Sequence, residues 1–207
     1  MSAHAGNQSV ASQVEHLLGQ MTLEEKVGQM TQVDFTVIGS SEGLNAVDLI
    51  DPAKLEDAVL KHHVGSILNA PFTPDNQALP FSSWRKIQES IQAVAARSRL
   101  KIPVLYGIDA IHGATYTQNA TLFPQAISMA ATFNPELSFK AGEITAREVR
   151  ASGLQWNFSP VMDIGRQPLW PRLWETYGED VHLVTVMGTR YIEGYQGADF
   201  SAPDKGL

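Results

Sequence analysis

The strongest constraint on this 207-residue chain is the way strand-like apolar runs alternate with helical stripes. Residues 31–38 are rich in β-branched and aromatic side chains and predict a strand. The compact apolar run 64–68 predicts a second, buried strand. Residues 102–108, nearly continuous apolar sequence with an early proline, predict a third that is covered on both faces. A fourth occupies 154–161. Helical signals fall around and between them. Thr22-x-x-Glu25 reads as a capping box opening a helix through Met30. Asp51 and Pro52 supply an N-cap and a first-turn proline, with Leu55, Val59 and His62 on one side of the helix that follows. Ser83 is the expected cap of a longer helix carrying Ile87, Ile91, Val94 and Ser98 at helical spacing. Asn134-Pro135 opens another, with Leu137, Ala141, Ile144 and Glu148 on one stripe and Gly153 as its stop. Asp180 caps a last helix running to about Gly194.

Strand alternating with helix predicts an α/β fold of parallel strands joined by right-handed crossovers. A closed barrel of this kind needs eight strands and typically about 250 residues. About four strands are legible here, and left open they expose two unpaired edges. The expectation is therefore a partial TIM-type (β/α)8 barrel, about its first half, with mostly parallel strands. Residues 1–20 are read as an N-terminal segment and leading helix. Residues 21–207 are read as the N-terminal portion of the barrel, incomplete at the C-terminus, with 201–207 loop-like.

Composition narrows the function classes. Hydrophobic residues make up 43% and charged ones 18%, a balance that favours a folded chain over a disordered one. The net charge of −7 argues against nucleic acid or an anionic membrane surface as partner, and leaves neutral substrates such as sugars open. No cysteine is present, which excludes disulfides and thiolate metal sites. No stretch approaches the roughly 18 apolar residues of a membrane span. Met1 to Gln13 show no basic or apolar leader region, so no signal peptide is read. The compartment stays open, secreted and periplasmic locations included. Asn7-Gln8-Ser9, Asn119-Ala120-Thr121 and Asn157-Phe158-Ser159 match the glycosylation sequon, the last partly within a predicted strand.

In parallel α/β proteins the working groups sit just past the carboxyl ends of strands. Asp109, in Gly107-Ile108-Asp109-Ala110-Ile111-His112-Gly113, falls where a carboxylate points into a barrel mouth and can accept from sugar hydroxyls. A turn-capping aspartate is the competing reading. The segment from Asp163 to Asp180 follows the fourth strand and gathers Arg166, Arg172, Trp170, Trp174, Glu175 and Tyr177. An arginine fork suits vicinal hydroxyls, and a tryptophan face suits a sugar ring. Core packing is the preferred reading for the tryptophans, and a structural ion pair is the alternative for Arg172 with Glu175. His62-His63 reads as a polar helix end, since no spaced ligand cluster accompanies it.

At these segments the chain resembles glycoside hydrolase family 3, in the branch of β-glucosidases and β-glucan exohydrolases. Residues 21–30 look like that family's opening helix, and residues 107–113 are similar to its Gly-x-Asp-Ala-x-His-Gly loop. Residues 121–125 and 143–153 fit its middle helices. Arg166-x-Pro168-x-Trp170-x-Arg172, followed by Tyr177-Gly178-Glu179-Asp180, completes the set. The resemblance implies a retaining, exo-acting hydrolase of β-glucosides or β-glucan oligosaccharides, working with two carboxylates and without metal or cofactor. The family's nucleophile and acid/base come from later elements, so no catalytic residue is assigned here. Within the glucose subsite, the resemblance gives Asp109 the role of acceptor and Arg172 that of donor. Glu175 holds that shell, and Arg166 matches the first arginine of the motif. The chain departs from the common pattern at Gln167, Leu169 and Pro171. The β-N-acetylglucosaminidase branch carries a different loop at Asp109 and ranks lower.

Three other readings compete. Gly39-Ser40-Ser41-Glu42-Gly43 matches a nucleophile elbow, but an elbow needs a helix at once and the loop continues to Asp51. A nucleotide-binding fold lacks its glycine fingerprint here. The chain can also be read as a non-catalytic sugar-binding or assembly fragment, or as one half of an enzyme completed by the remainder of the barrel, a second α/β domain or a complementing chain. As a chain alone it is expected to be inactive.

Overall fold

In the first helical unit, local chemistry and tertiary contacts agree. Thr22 N–H donates to Glu25 Oε2 (2.9 Å) and Glu25 N–H donates to Thr22 Oγ1 (3.2 Å), so the capping box is closed. It opens α2 (Leu23–Gln29), which follows α1 (Val10–Gln20). Arg99, just beyond α4 (Phe81–Ala95), donates through Nε to Glu25 Oε1 (2.9 Å) and through Nη2 to the Gln20 carbonyl (2.8 Å). The Arg99 and Thr22 hydrogen bonds hold the Glu25 carboxyl down at about 2. The computed structural model describes residues 9–40, 49–71 and 78–197. Ser41 of the elbow pattern and the loop-like end at 201–207 lie outside these residues.

The strands are all parallel, in the order β1 (Gln32–Asp34), β2 (Ser66–Leu68), β3 (Leu105–Ile108), β4 (Trp156–Asn157). Each is shorter than its apolar run. Residues 31–38 do not continue as strand because the Asp34 carboxylate accepts from Thr36 N–H (2.9 Å) and Thr36 Oγ1–H (2.6 Å). That local turn starts a 3₁₀ helix at Phe35–Val37. In register, Val33, Ile67 and Tyr106 face one side, with Ile108 next along β3. Ile67, Tyr106 and Ile108 are buried there with Leu55, Trp84, Ile87 and Ile91. The opposite, concave side carries Leu105, 50% exposed, and Trp156, 40% exposed. The expectation that the third strand is covered on both faces holds fully on one side and in part on the other. There Gly107 lies beneath the Phe158 ring and Ser66 is buried, while Leu105 and Trp156 stay open.

The helices follow their sequence signals with four corrections. After α3 (Pro52–Glu56), capped by Asp51, the chain widens into a π turn at Asp57–Lys61. Leu55 and Val59 are buried, but His62 falls at the end of that turn, exposed, 3.4 Å from Asp57. The fourth helix starts before Ser83: Pro80 is its N-cap and offers no side-chain bond, while its carbonyl accepts from Ser83 N–H (2.9 Å) and Trp84 N–H (3.2 Å). Segment 121–125 is not helical but leads into the short α5 (Ala126–Ala130).

On α6 (Pro135–Ala151), the buried stripe is Ser138, Ala141, Gly142, Thr145 and Val149 rather than the one through Leu137 and Ile144. The reason is α7 (Val181–Gln196), which crosses it so closely that small residues are required at the contact. A Cβ on Gly142 would stand 2.3 Å from the Tyr191 carbonyl oxygen, and one on Gly194 would stand 2.1 Å from that of Phe139. Ser138 Oγ donates to the Met187 carbonyl (2.8 Å), and the Tyr191 and Tyr195 rings stack beside them. Gly142→Ala is expected to lower unfolding free energy by about 1–3 kcal/mol through overpacking. Gly19→Ala, on the exposed α1 helix with nothing near its Cβ, should raise it by roughly 0.5–1 kcal/mol. Urea denaturation of both variants checks the contrast.

Candidate functional site

Pairing of Ile108 with Asn157 brings the loops after β3 and β4 together. Asn157 Oδ1 accepts from Ala110 N–H (2.9 Å), extending the ladder past the strand and fixing the backbone on which Asp109 sits. Phe158 N–H then donates to the Ile108 carbonyl (3.0 Å). Gly113 turns the loop at φ +107, where a Cβ would also lie 2.0 Å from the Thr121 carbonyl oxygen, so glycine is needed twice over. Glu148 on α6 receives both the Thr121 N–H (2.9 Å) and its hydroxyl (2.8 Å), tying the far side of this loop to a helix.

The second loop is closed at its base. Val161 and Thr176 form a parallel bridge, and Gly165 N–H donates to the Gly178 carbonyl (2.9 Å). Arg172 stands just before the 3₁₀ turn Leu173–Glu175, and its Nε and Nη2 both donate to Glu175 Oε2, at 2.8 and 2.6 Å. The glutamate is the more buried partner, with its side chain 13% exposed against 53% for the arginine. Glu175 thus aims the guanidinium through two of its five N–H donors.

The two loops meet electrostatically. Burial raises the Asp109 carboxyl above its usual range; the positive charge of Arg172 opposes this, and the negative charge of Glu175 adds to it. Arg172 in turn lies in the fields of Asp109 and Asp163. Asp109, Arg172 and Glu175 therefore stand within electrostatic reach of one another. Arg166 is not joined to them: its side chain is exposed, and its backbone N–H closes a tight turn on the Ile164 carbonyl (3.0 Å). Trp174, 50% exposed, is not the core residue expected, and Trp170 is half-buried; the wholly buried tryptophan is Trp84. Sequence reasoning missed Asn157 as the residue that positions Asp109, since its only signal was the sequon. The Tyr116 phenol is raised by burial and by the charges of Asp109 and Glu175.

A cluster of this kind, with carboxylates that accept and a clamped arginine that donates, suits a neutral polyhydroxyl ligand. The model of the glycosyl hydrolase family 3 N terminal domain matches residues 22–205. A lysosomal beta glucosidase of Dictyostelium discoideum is 38% identical over 193 residues, which cover 91% of this chain and 23% of that protein. A periplasmic beta-glucosidase of Salmonella typhimurium is 29% identical over 184 residues, 89% of this chain and 20% of that one. Among solved structures, an exo-1,3/1,4-beta-glucanase from a Pseudoalteromonas species superposes with a TM-score of 0.76 at 32% identity, over 95% of this chain and 23% of its own. A beta-glucosidase from Listeria innocua in complex with glucose gives 0.71 at 30% identity, over 94% and 25%. The chain spans a fifth to a quarter of the length of these curated relatives, and its four-stranded sheet is part of a TIM-type barrel.

Carboxyl-detected NMR titration of Asp109 tests the cluster without any ligand. Arg172→Ala should move its midpoint up, because the opposing positive charge is lost. Glu175→Gln should move it down, because a negative charge is lost and the arginine is released toward Asp109. A midpoint that ignores both substitutions would separate the two loops.

Proposed function

We propose, proceeding from the fact that this chain belongs to glycosyl hydrolase family 3, that it supplies the glucose-binding half of a retaining, exo-acting β-glucosidase-type site. One observation carries the reading: the charge of Arg172 falls on the half-buried Asp109 carboxyl while Glu175 holds the guanidinium in place. A sugar seated there donates to Asp109 and accepts from Arg172, so both charges are satisfied by one neutral ligand. Charge-assisted hydrogen bonds of this type contribute about 1.5–3 kcal/mol each where water is displaced. Arg166, exposed and outside the cluster, is assigned to the outer part of the same site.

Retention also requires a nucleophilic carboxylate and an acid/base carboxylate about 5–5.5 Å apart. In this proposal both come from barrel elements and a second domain beyond these 207 residues, in the same polypeptide or in a complementing chain. The exposed Leu105 and Trp156 on the concave face support it, since a closed barrel covers such side chains. The ligand is a β-glucoside or β-glucan oligosaccharide, and no cofactor takes part.

The isolated 207-residue chain is expected to leave an aryl β-glucoside intact; turnover by a species of verified mass would overturn that part of the proposal. In the complete polypeptide, Arg172→Ala should weaken glucose binding by about 1–2 kcal/mol, as calorimetry or competitive inhibition measures. Affinity and rate both unchanged would remove Arg172 from the site.

A further inference from the structure

Ala110 follows Asp109 and is wholly buried, and both of its backbone polar groups meet side chains distant in sequence. Its N–H donates to Asn157 Oδ1 (2.9 Å), which sets the plane of the peptide joining it to Asp109. Its carbonyl accepts from the Tyr191 hydroxyl on α7, at 3.5 Å the long limit of such a bond. Ala110 and Tyr191 are both buried, so neither group can turn to solvent instead.

Tyr191 is held from its main chain to its ring. Its own carbonyl oxygen lies against Gly142 of α6, where a Cβ would stand 2.3 Å away. Its ring stacks on that of Tyr195, with centroids 5.8 Å apart and planes 19° apart. These contacts deliver the hydroxyl to the Ala110 carbonyl. Burial pushes the phenol up, so the group is a neutral donor at neutral pH.

The helix that carries this tyrosine also leaves directly from the loop of Arg172. Asp180 caps it, accepting Leu183 N–H (2.7 Å). About three turns later the same helix reaches the loop of Asp109. One rigid element is thus tied to both loops. Its neighbour α6 holds the far end of the Asp109 loop as well, through Glu148 and Thr121.

We propose that Tyr191 is a positioning residue for the sugar site, its hydroxyl fixing the Ala110 backbone so that Asp109 is presented to the ligand in one orientation. This rests on the assignment of Asp109 to sugar binding. With Asn157 on the N–H side and Tyr191 on the carbonyl side, both peptide planes around Ala110 are set. The phenol acts only through Asp109 and does not touch the sugar.

The test is a double-mutant cycle in the complete polypeptide, using Tyr191→Phe, Asp109→Asn and the two together. Each is read as the inhibition constant of glucose against an aryl β-glucoside. Asp109→Asn should weaken glucose binding about tenfold or more, the loss expected of a charge-assisted hydrogen bond. Tyr191→Phe keeps the ring and its stacking, and should weaken it about 2–5-fold, the lower part of the range for one hydrogen bond. In the Asp109→Asn background the same substitution should have almost no effect, because its action runs through the carboxylate. A merely structural tyrosine would lower the thermal midpoint and leave the inhibition constant alone, or shift it by the same factor in both backgrounds. Either result overturns the inference while the weakening by Asp109→Asn keeps the site assignment standing. If Asp109→Asn leaves glucose inhibition unchanged, both fall.

Discussion

The parallel register of β3 against β4 is the constraint from which the rest follows. Only two residue pairs, Gly107 with Trp156 and Ile108 with Asn157, define it. Gly107 is required because the Phe158 ring lies over it, 2.2 Å from where a Cβ would be. Asn157 then carries the ladder one step past the strand by receiving the Ala110 N–H. Slipping the pairing by one residue would turn the side chains of β4 to the opposite faces and detach the loop of Asp109 from that of Arg172. The two loops are long, so nothing local to either would restore their meeting.

Electrostatics at that meeting point explains why the arginine is clamped. A carboxylate withdrawn from water is costly unless a cation or hydrogen-bond donors replace the water. Arg172 provides the cation, but as a long side chain, half exposed, it would lose much of its effect by wandering. Glu175 holds it with two hydrogen bonds to one oxygen, and the bridge between Val161 and Thr176 holds the turn that bears Glu175. The cluster stays net negative, which suits a neutral ligand and disfavours an anionic one.

Much of this was legible in the sequence, for identifiable reasons. The caps at Thr22, Asp51, Asn134 and Asp180 are local chemistry and appear as written. Strand existence and parallel order followed from apolar runs separated by helices. Strand ends did not, because the Asp34 turn and the loops after β4 override β propensity over a few residues. The stripe of α6 was misplaced because small residues, not large ones, mark a face that another helix approaches closely. For the site, Asp109, Arg172 and Glu175 stand out as charged residues after strands, in a spacing that a family motif preserves. Asn157 acts through a backbone hydrogen bond to a loop distant in sequence, and no spacing rule reports that.

The placement of Asn157 bears on how the protein is made. It stands in a glycosylation sequon, yet its Nδ2 is buried in the finished fold, and its other amide atom holds the Ala110 backbone. Oligosaccharide transfer acts on nascent, still unfolded chain, where such an asparagine is fully accessible. A glycan on that nitrogen has no room beside β4, so the sheet and a modified Asn157 exclude one another.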